Sequence, residues 1–325
     1  MASTRNERPD APRGRTRSIL LEIGQYVLVI AITLVAGELA LRYFNPQYLK
    51  DEVFGTLNNQ YDPELGWVPT PNSLHHNSLG LRDIEYVPDH RPVILFLGDS
   101  MTWGLYVENA QRATDLLRKQ MPGYQIVNAG VAGYGTDQEY LLLKRLWDKF
   151  TPAIVVVIYT CINDRVDNTH NVRNFTYKPY FESAPNGELL LQGQPTPKAR
   201  RMYFRESWLA RNVMTVRLAI SGYFELRYPR VKVADPTERL VGAVQNFVEA
   251  RGGRLLFGLQ WQEPALEAYL RERKISYTRF DGAEEDASHH WTPAGNAEVA
   301  QRLLKFFSEV GIPAAGPARP SGSTP

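Results

Sequence analysis

The residues best suited to chemistry lie in two short stretches, LFLGDSMTWG at 95–104 and DASHHWTPAGN at 286–296. In the first, an apolar run ends at Gly98 and a serine, Ser100, follows closely. Gly, Asp and Ser are common turn formers, so Gly-Asp-Ser alone predicts a turn. A serine hydroxyl in such a turn becomes a nucleophile when an imidazole accepts its proton and another acceptor orients that imidazole. The second stretch contains an aspartate and two adjacent histidines, the residue types that this chemistry requires.

The elements that must position these residues alternate along the chain. Short apolar runs predict strands at 92–98, 124–130, 153–160, 254–260 and 275–280. Amphipathic patterns predict helices at 108–122, 136–150, 236–253, 264–274 and 292–310. This alternation predicts an α/β fold, a three-layer α/β/α sandwich with a mostly parallel, flavodoxin-like sheet.

One long segment, at about 165–235, interrupts the alternation. Asn186-Gly187 lies between two strand-like pieces and predicts a hairpin, and 205–220 has a helical pattern. Open α/β sheets bind ligands at the carboxyl ends of their strands, where this insertion begins. We expect it either to shape a substrate pocket or lid or to be a surface elaboration.

The N-terminal region predicts a membrane anchor. Residues 18–42 are long and apolar enough to span a bilayer, with Glu22 and Glu38 near the ends. Arginines dominate residues 1–17, which predicts a cytoplasmic tail and an extracytoplasmic main domain, periplasmic or extracellular. A cleaved signal peptide and a helix buried in a soluble core are the competing interpretations.

The remaining organisation follows from composition. We expect an irregular lead-in at 43–90, the α/β domain at 91–311 and a disordered tail at 312–325. A net charge of +2 favours no nucleic-acid partner. The single cysteine, Cys161, excludes an intramolecular disulfide and a cysteine-rich metal site.

Four blocks of this sequence, taken together, resemble the SGNH/GDSL hydrolases of the membrane-anchored bacterial type. GDSMTWG, NAGVAGYGTDQ, CIND and DASHHWTPAGN occur in the family's order, across roughly 90–305. The resemblance implies that Ser100 is the nucleophile and that the Gly133 N–H and the Asn163 side-chain amide join the Ser100 N–H in an oxyanion hole. It implies a histidine base and an acid in the fourth block, and no cofactor. CIND departs from the family pattern, because Cys161 stands where glycine is usual.

The spacing in the fourth block leaves two candidates for the base. His289 lies three residues after Asp286, which is the family's literal spacing. His290 lies five residues before Gly295, which matches the family's distance to the last helix, with Thr292 as its N-cap. We favour His290 as the base and Asp286 as the acid, with His289 as the alternative base and Asp281 as a second candidate for the acid.

The resemblance implies a serine esterase that hydrolyses acyl esters, and what is known of anchored members of the family favours O-acetyl groups on carbohydrate. An O-acyltransferase on an extracytoplasmic polysaccharide, with the same triad, is the first alternative, and a catalytically silent polysaccharide-binding or assembly protein is the second. The glycines of NAGVAGYG lack the dinucleotide-binding order. Asp286, His289 and His290 lack further ligands nearby, so neither a nucleotide nor a metal is expected.

Overall fold

The computed structural model describes residues 13–50 and 58–316. These residues divide into two compact units. The helical unit consists of residues 13–50 and 201–227, and the sheet unit consists of residues 58–200 and 228–316. Each unit is described by itself.

The helices are α1 Arg13–Phe44, α2 Ser100–Trp103, α3 Ala113–Gln120, α4 Thr136–Phe150, α5 Asp164–Asp167, α6 Arg200–Glu206, α7 Trp208–Asn212, α8 Met214–Arg227, α9 Thr237–Glu249, α10 Pro264–Glu272 and α11 Pro293–Glu309. The strands are β1 Asn59–Asp62, β2 Gly66–Pro69, β3 Val93–Gly98, β4 Gln125–Asn128, β5 Ile154–Tyr159, β6 Val172–Arg173, β7 Thr176–Tyr177, β8 Tyr180–Ser183, β9 Leu189–Gln192, β10 Arg254–Leu259 and β11 Ser276–Arg279. Short 3₁₀ turns cover Gln47–Leu49 and Asn109–Gln111.

The main sheet has five strands in the order β4-β3-β5-β10-β11, and every neighbouring pair is parallel. In order of first appearance this is 2-1-3-4-5, the flavodoxin-like order. The predicted α/β fold is therefore confirmed. All five predicted strands form, because apolar runs buried on both faces suit a parallel sheet covered by helices.

Helices cover both faces of the sheet. Alternate residues of each strand point to opposite faces, so each strand contributes to two cores. One core contains Leu95 and Leu97 of β3 packed with α4, α9 and α10. The other contains Ile94 and Phe96 of β3 packed with α3 and α11. The result is the predicted three-layer sandwich.

The start of α11 is fixed by its sequence. Thr292 caps the helix, since its hydroxyl accepts the Gly295 N–H at 3.1 Å, and Pro293 is the first helical residue. Gly295 packs so tightly that a Cβ would lie 2.0 Å from the Glu284 carbonyl oxygen. The helix start therefore cannot slide along the chain, and this fixes where the preceding histidines lie.

The lead-in differs from the predicted irregular segment. β1 and β2 pair as an antiparallel hairpin, and Leu65, Trp67 and Leu81 are buried in the core beside α4. The Trp67 indole donates to the Ala132 carbonyl at 3.3 Å. Prediction failed here because contacts distant in sequence, which leave no periodic pattern, order this segment.

The structure also describes parts of the predicted terminal segments and of the insertion. Residues 312–316 are described, with Ile312 buried, whereas 317–325 lie outside the described residues. Of the predicted cytoplasmic tail, 1–12 lie outside the described residues and α1 already begins at Arg13. The predicted hairpin forms as β8 and β9. Residues 201–227 of the insertion belong to the helical unit.

Candidate active site

The turn after β3 presents Ser100 at the first position of α2. Asp99 caps this short helix, because its Oδ1 accepts the Met101 N–H at 2.9 Å. Gly98 permits the tight turn, since a Cβ there would lie 2.1 Å from the Thr102 hydroxyl. Gly104 ends the helix at φ +82°, a left-handed conformation that favours glycine. Each residue of the motif thus has a local structural task that leaves the Ser100 side chain half-buried at the strand end.

A buried arginine stabilises this turn through hydrogen bonds to its backbone carbonyls. Arg82 donates from Nη1 to the Trp103 carbonyl at 3.2 Å and from Nη2 to the Val107 carbonyl at 2.7 Å. Its guanidinium lies 4.2 Å from the Trp103 ring centroid. Burial, with nearby Arg112, lowers the pKa of Arg82 to about 10, so it stays cationic at neutral pH.

His290 lies against Ser100, with Nε2 at 2.9 Å from the serine Oγ. Its other ring nitrogen, Nδ1, lies 2.9 Å from the Ser288 hydroxyl. That hydroxyl donates to Asp286 Oδ1 at 2.6 Å. The structure therefore links Asp286 to the imidazole through Ser288, where sequence reasoning expected a direct contact. The only sequence signal was a hydroxyl residue two positions before His290, which is easily mistaken for turn polarity.

The Asp286 carboxylate organises the whole loop. Besides the Ser288 hydroxyl, its Oδ1 accepts the Ser288 N–H at 2.8 Å and the His290 N–H at 3.1 Å. The hydrogen bond from Ser288 contributes most to lowering the pKa of Asp286, so the group is ionised at neutral pH. With Ser288 O–H donating to the carboxylate, the serine oxygen accepts from His290 Nδ1–H. Nε2 is then the free acceptor that faces Ser100.

His289 points elsewhere. Its Nδ1 lies 3.4 Å from Glu285 Oε2, and its ring meets the Trp261 ring edge-on at 5.7 Å. Its backbone has φ +62°, which turns consecutive side chains apart. Among the described residues, the structure brings His290 to Ser100 and keeps His289 on the other side of the loop.

The three expected oxyanion donors start from neighbouring strands. Ser100 follows β3, Gly133 follows β4, and Asn163 follows β5, so all three lie at the carboxyl edge of the sheet. Gly133 has φ +83°. Within residues 13–50 and 58–316, neither the Ser100 N–H nor the Gly133 N–H has an acceptor, and both can serve a ligand.

The Asn163 amide is held by carboxylates. Its Nδ2 donates to Asp167 Oδ2 at 2.9 Å and lies 3.3 Å from Asp99 Oδ2. The same Nδ2 also lies 3.4 Å from Asp164 Oδ1, so three carboxylates surround this amide, with Asp167 the nearest. Burial raises the pKa of Asp167 to about 6, opposed by Arg173 at 3.0 Å.

Buried acids lie behind this loop. Asp164 accepts the Thr160 N–H at 2.7 Å. Glu139 is 1% exposed, and within the described chain neither carboxyl oxygen has a hydrogen-bond partner. Burial, followed by the charges of Asp99 and Asp137, raises the pKa of Glu139 well above its usual value. Glu139 is therefore a core carboxyl whose protonated form is favoured by burial, and sequence reasoning missed it.

Two further side chains border the site. The Tyr106 ring meets the His290 ring edge-on at 5.4 Å, and Tyr106 is 71% exposed with φ +67°. Burial raises the pKa of Cys161 to about 11, so its thiol stays protonated and is a poor nucleophile. Among residues 13–50 and 58–316, no group of three or more His, Cys, Asp or Glu side chains is arranged to hold a metal ion.

Comparisons with known proteins give matches among solved structures. No family model and no curated protein match the chain. TesA is 16% identical with a TM-score of 0.40, over 67% of this chain and 99% of its own. A lipolytic protein of the G-D-S-L family from Veillonella parvula is 12% identical with a TM-score of 0.40, over 66% and 98%. Est24, a carbohydrate acetylesterase from Sinorhizobium meliloti, is 13% identical with a TM-score of 0.39, over 68% and 100%.

At these identities and scores the matches are similarities only, and the function proposed below is inferred from the residues and their geometry.

Proposed function

We propose that this protein is a membrane-anchored serine esterase of the SGNH/GDSL type that removes short acyl groups, acetyl above all, from carbohydrate. The observation that carries the proposal is the hydrogen-bonded series from Ser100 Oγ through His290 Nε2 to Ser288 and Asp286. Such a series provides a base for the hydroxyl and a fixed orientation for that base. A turn that only reverses the chain does not require such a hydrogen-bonded series.

The first step is acylation of the serine. His290 Nε2 accepts the Ser100 proton as Oγ attacks the ester carbonyl, and the C–Oγ bond forms while the carbonyl oxygen becomes negative. His290 then returns the proton to the leaving alcohol oxygen as the carbon–oxygen ester bond breaks. The imidazolium between these events is stabilised by Asp286 through the Ser288 hydroxyl.

Deacylation repeats the chemistry with water. His290 takes a proton from water as the water oxygen bonds to the acyl carbon. The bond between that carbon and Ser100 Oγ then breaks, His290 returns the proton to Oγ, and the carboxylic acid leaves. In both steps the negative oxygen is bound by Ser100 N–H, Gly133 N–H and the Asn163 amide. The loss of one such donor costs about 3–4 kcal/mol of barrier stabilisation in serine hydrolases.

Anchoring is proposed from the N-terminal helix. Ile19–Phe44 comprises 26 residues and none of its apolar window is buried in the structure. At about 1.5 Å per residue it rises about 39 Å, more than the roughly 30 Å hydrocarbon core. Arginines precede it in the sequence, which favours an inside N-terminus and a sheet unit outside the cytoplasm.

The test is ester hydrolysis by the full chain purified in detergent. The wild type is expected to release nitrophenol from 4-nitrophenyl acetate, and Ser100→Ala is expected to lose this activity. Equal rates in the two proteins would refute the esterase. Acetylated oligosaccharides assayed with and without a second sugar as acceptor then separate hydrolysis from acyl transfer, because transfer consumes the acceptor.

A further inference from the structure

The helical unit exposes many apolar side chains outside α1. Within residues 201–227, six large apolar side chains are exposed: Tyr203, Trp208, Leu209, Leu218, Tyr223 and Leu226. Trp208 is 70% exposed and Leu226 is 89% exposed. Exposed apolar groups concentrated in one segment mark a surface that contacts something other than water.

Part of this surface continues onto α1. Val216, Ala219, Ile220 and Tyr223 of α8 have the i, i+3, i+4, i+7 spacing that places side chains on one helix face. The first three lie beside an open groove between α8 and α1. Its apolar lining consists of Leu34, Val35 and Leu39 of α1, Val216, Ala219 and Ile220 of α8, and Val213, which immediately precedes α8.

A carboxylate of α1 fixes the level at which α8 begins. Glu38 accepts the Met214 N–H at 3.0 Å and the Thr215 N–H at 2.9 Å. Free amides at a helix start need such acceptors, so Glu38 of one helix caps the other. Because Glu38 lies within the apolar span Ile19–Phe44, α8 starts beside the C-terminal end of that span.

We propose that residues 201–227 lie at the boundary between the headgroups and the acyl chains of the bilayer that α1 crosses. In this position, lipid acyl chains contact the face of α8 that borders the groove. This inference rests on the proposed anchoring of the protein by α1. The segment contains five arginines and two glutamates, a net charge of +3 that suits lipid phosphates. Trp and Tyr are enriched at this depth, where an amphipathic helix lies with its apolar face in lipid.

Two adjacent positions of α8 provide a matched test. Neighbouring helical residues point about 100° apart, and Glu225 lies next to Leu226 but away from the groove-facing stripe. In a Cys161→Ala background, Leu226→Cys, Glu225→Cys and Val27→Cys are each labelled with an environment-sensitive fluorophore. The full chain is reconstituted in phosphatidylcholine–phosphatidylglycerol vesicles with and without nitroxide-labelled acyl chains.

The expected result is strong quenching at 27 and 226, with quenching at 225 at least threefold weaker. Quenching at 27 with none at 226 would overturn the inference and leave the anchor standing. The absence of quenching at 27 would refute the anchor and the inference together. A blue shift at 226 that lacks lipid quenching and disappears when the protein is diluted in excess lipid would also overturn it, in favour of a second copy of the chain.

Discussion

The Ser288 hydroxyl is the least expected part of the site, and its removal gives the sharpest test of the geometry. Ser288→Ala deletes the oxygen that lies 2.9 Å from His290 Nδ1 and that donates to Asp286 at 2.6 Å. Because Ser288 is exposed, the change leaves no buried cavity. The fold should therefore be kept while the imidazole loses its orienting partner.

The magnitude follows from the bonds that are lost. A hydrogen bond to an ionised carboxylate contributes about 1.5–3 kcal/mol. At about 1.4 kcal/mol per factor of ten, kcat should fall about 10- to 150-fold. KM should change little, since Ser288 stabilises the imidazolium of the transition state and does not contact the substrate.

The assay is steady-state hydrolysis of 4-nitrophenyl acetate by the wild type and four variants. Ser288→Thr keeps the hydroxyl and should retain most of the activity, which makes it the matched control. Asp286→Asn should be slow, and adding Ser288→Ala to it should cost little more, because the two residues act in series. A Ser288→Ala enzyme within about threefold of wild type would refute the relay.

Three other changes test the surroundings. Glu139→Gln should raise the melting temperature relative to wild type more at pH 8 than at pH 5. Burial raises the folded-state pKa of this carboxyl, so the wild-type fold loses about 1.4 kcal/mol of stability per pH unit above the unfolded-state pKa. A pH-independent difference in melting temperature would contradict the raised pKa of Glu139. In Arg82→Lys the single ammonium group cannot reach both carbonyls of the nucleophile turn, so kcat should fall about tenfold. The far-ultraviolet dichroism spectrum should not change, and full activity would exclude a role of Arg82 in stabilising the turn. Tyr106→Ala should raise KM for ring-bearing esters about three- to tenfold, and Tyr106→Phe should not, because we expect the ring beside His290 to contact the leaving alcohol. Equal effects of the two changes would contradict this role of the ring.

The sheet was predictable because its physical causes are local. Buried parallel strands read as short apolar runs, as in Ile154–Tyr159, and the helices between them show their own period. The helix start at Thr292 and Pro293 carried enough local information to favour the histidine that the structure brings to Ser100.

Other features depend on contacts that sequence does not display. Trp67 and Arg82 look like loop residues, and only the folded chain buries them against α4 and the nucleophile turn. The link from Asp286 through Ser288 to His290 depends on the left-handed backbone at His289, and the residue type there does not indicate that conformation. Glu139 looked like one more polar residue on an amphipathic helix, yet it faces the core.

The central claim is that Ser100 is a nucleophile activated by His290, and mapping the covalent adduct of a serine-directed reagent tests it most directly. The full chain is treated with a fluorophosphonate ester, which reacts with activated serines, and is digested for mass spectrometry. The account predicts one adduct, on Ser100, formed at the wild-type rate by His289→Ala and not formed by His290→Ala. An adduct that persists on another residue in Ser100→Ala, or that forms in His290→Ala as fast as in wild type, would contradict it.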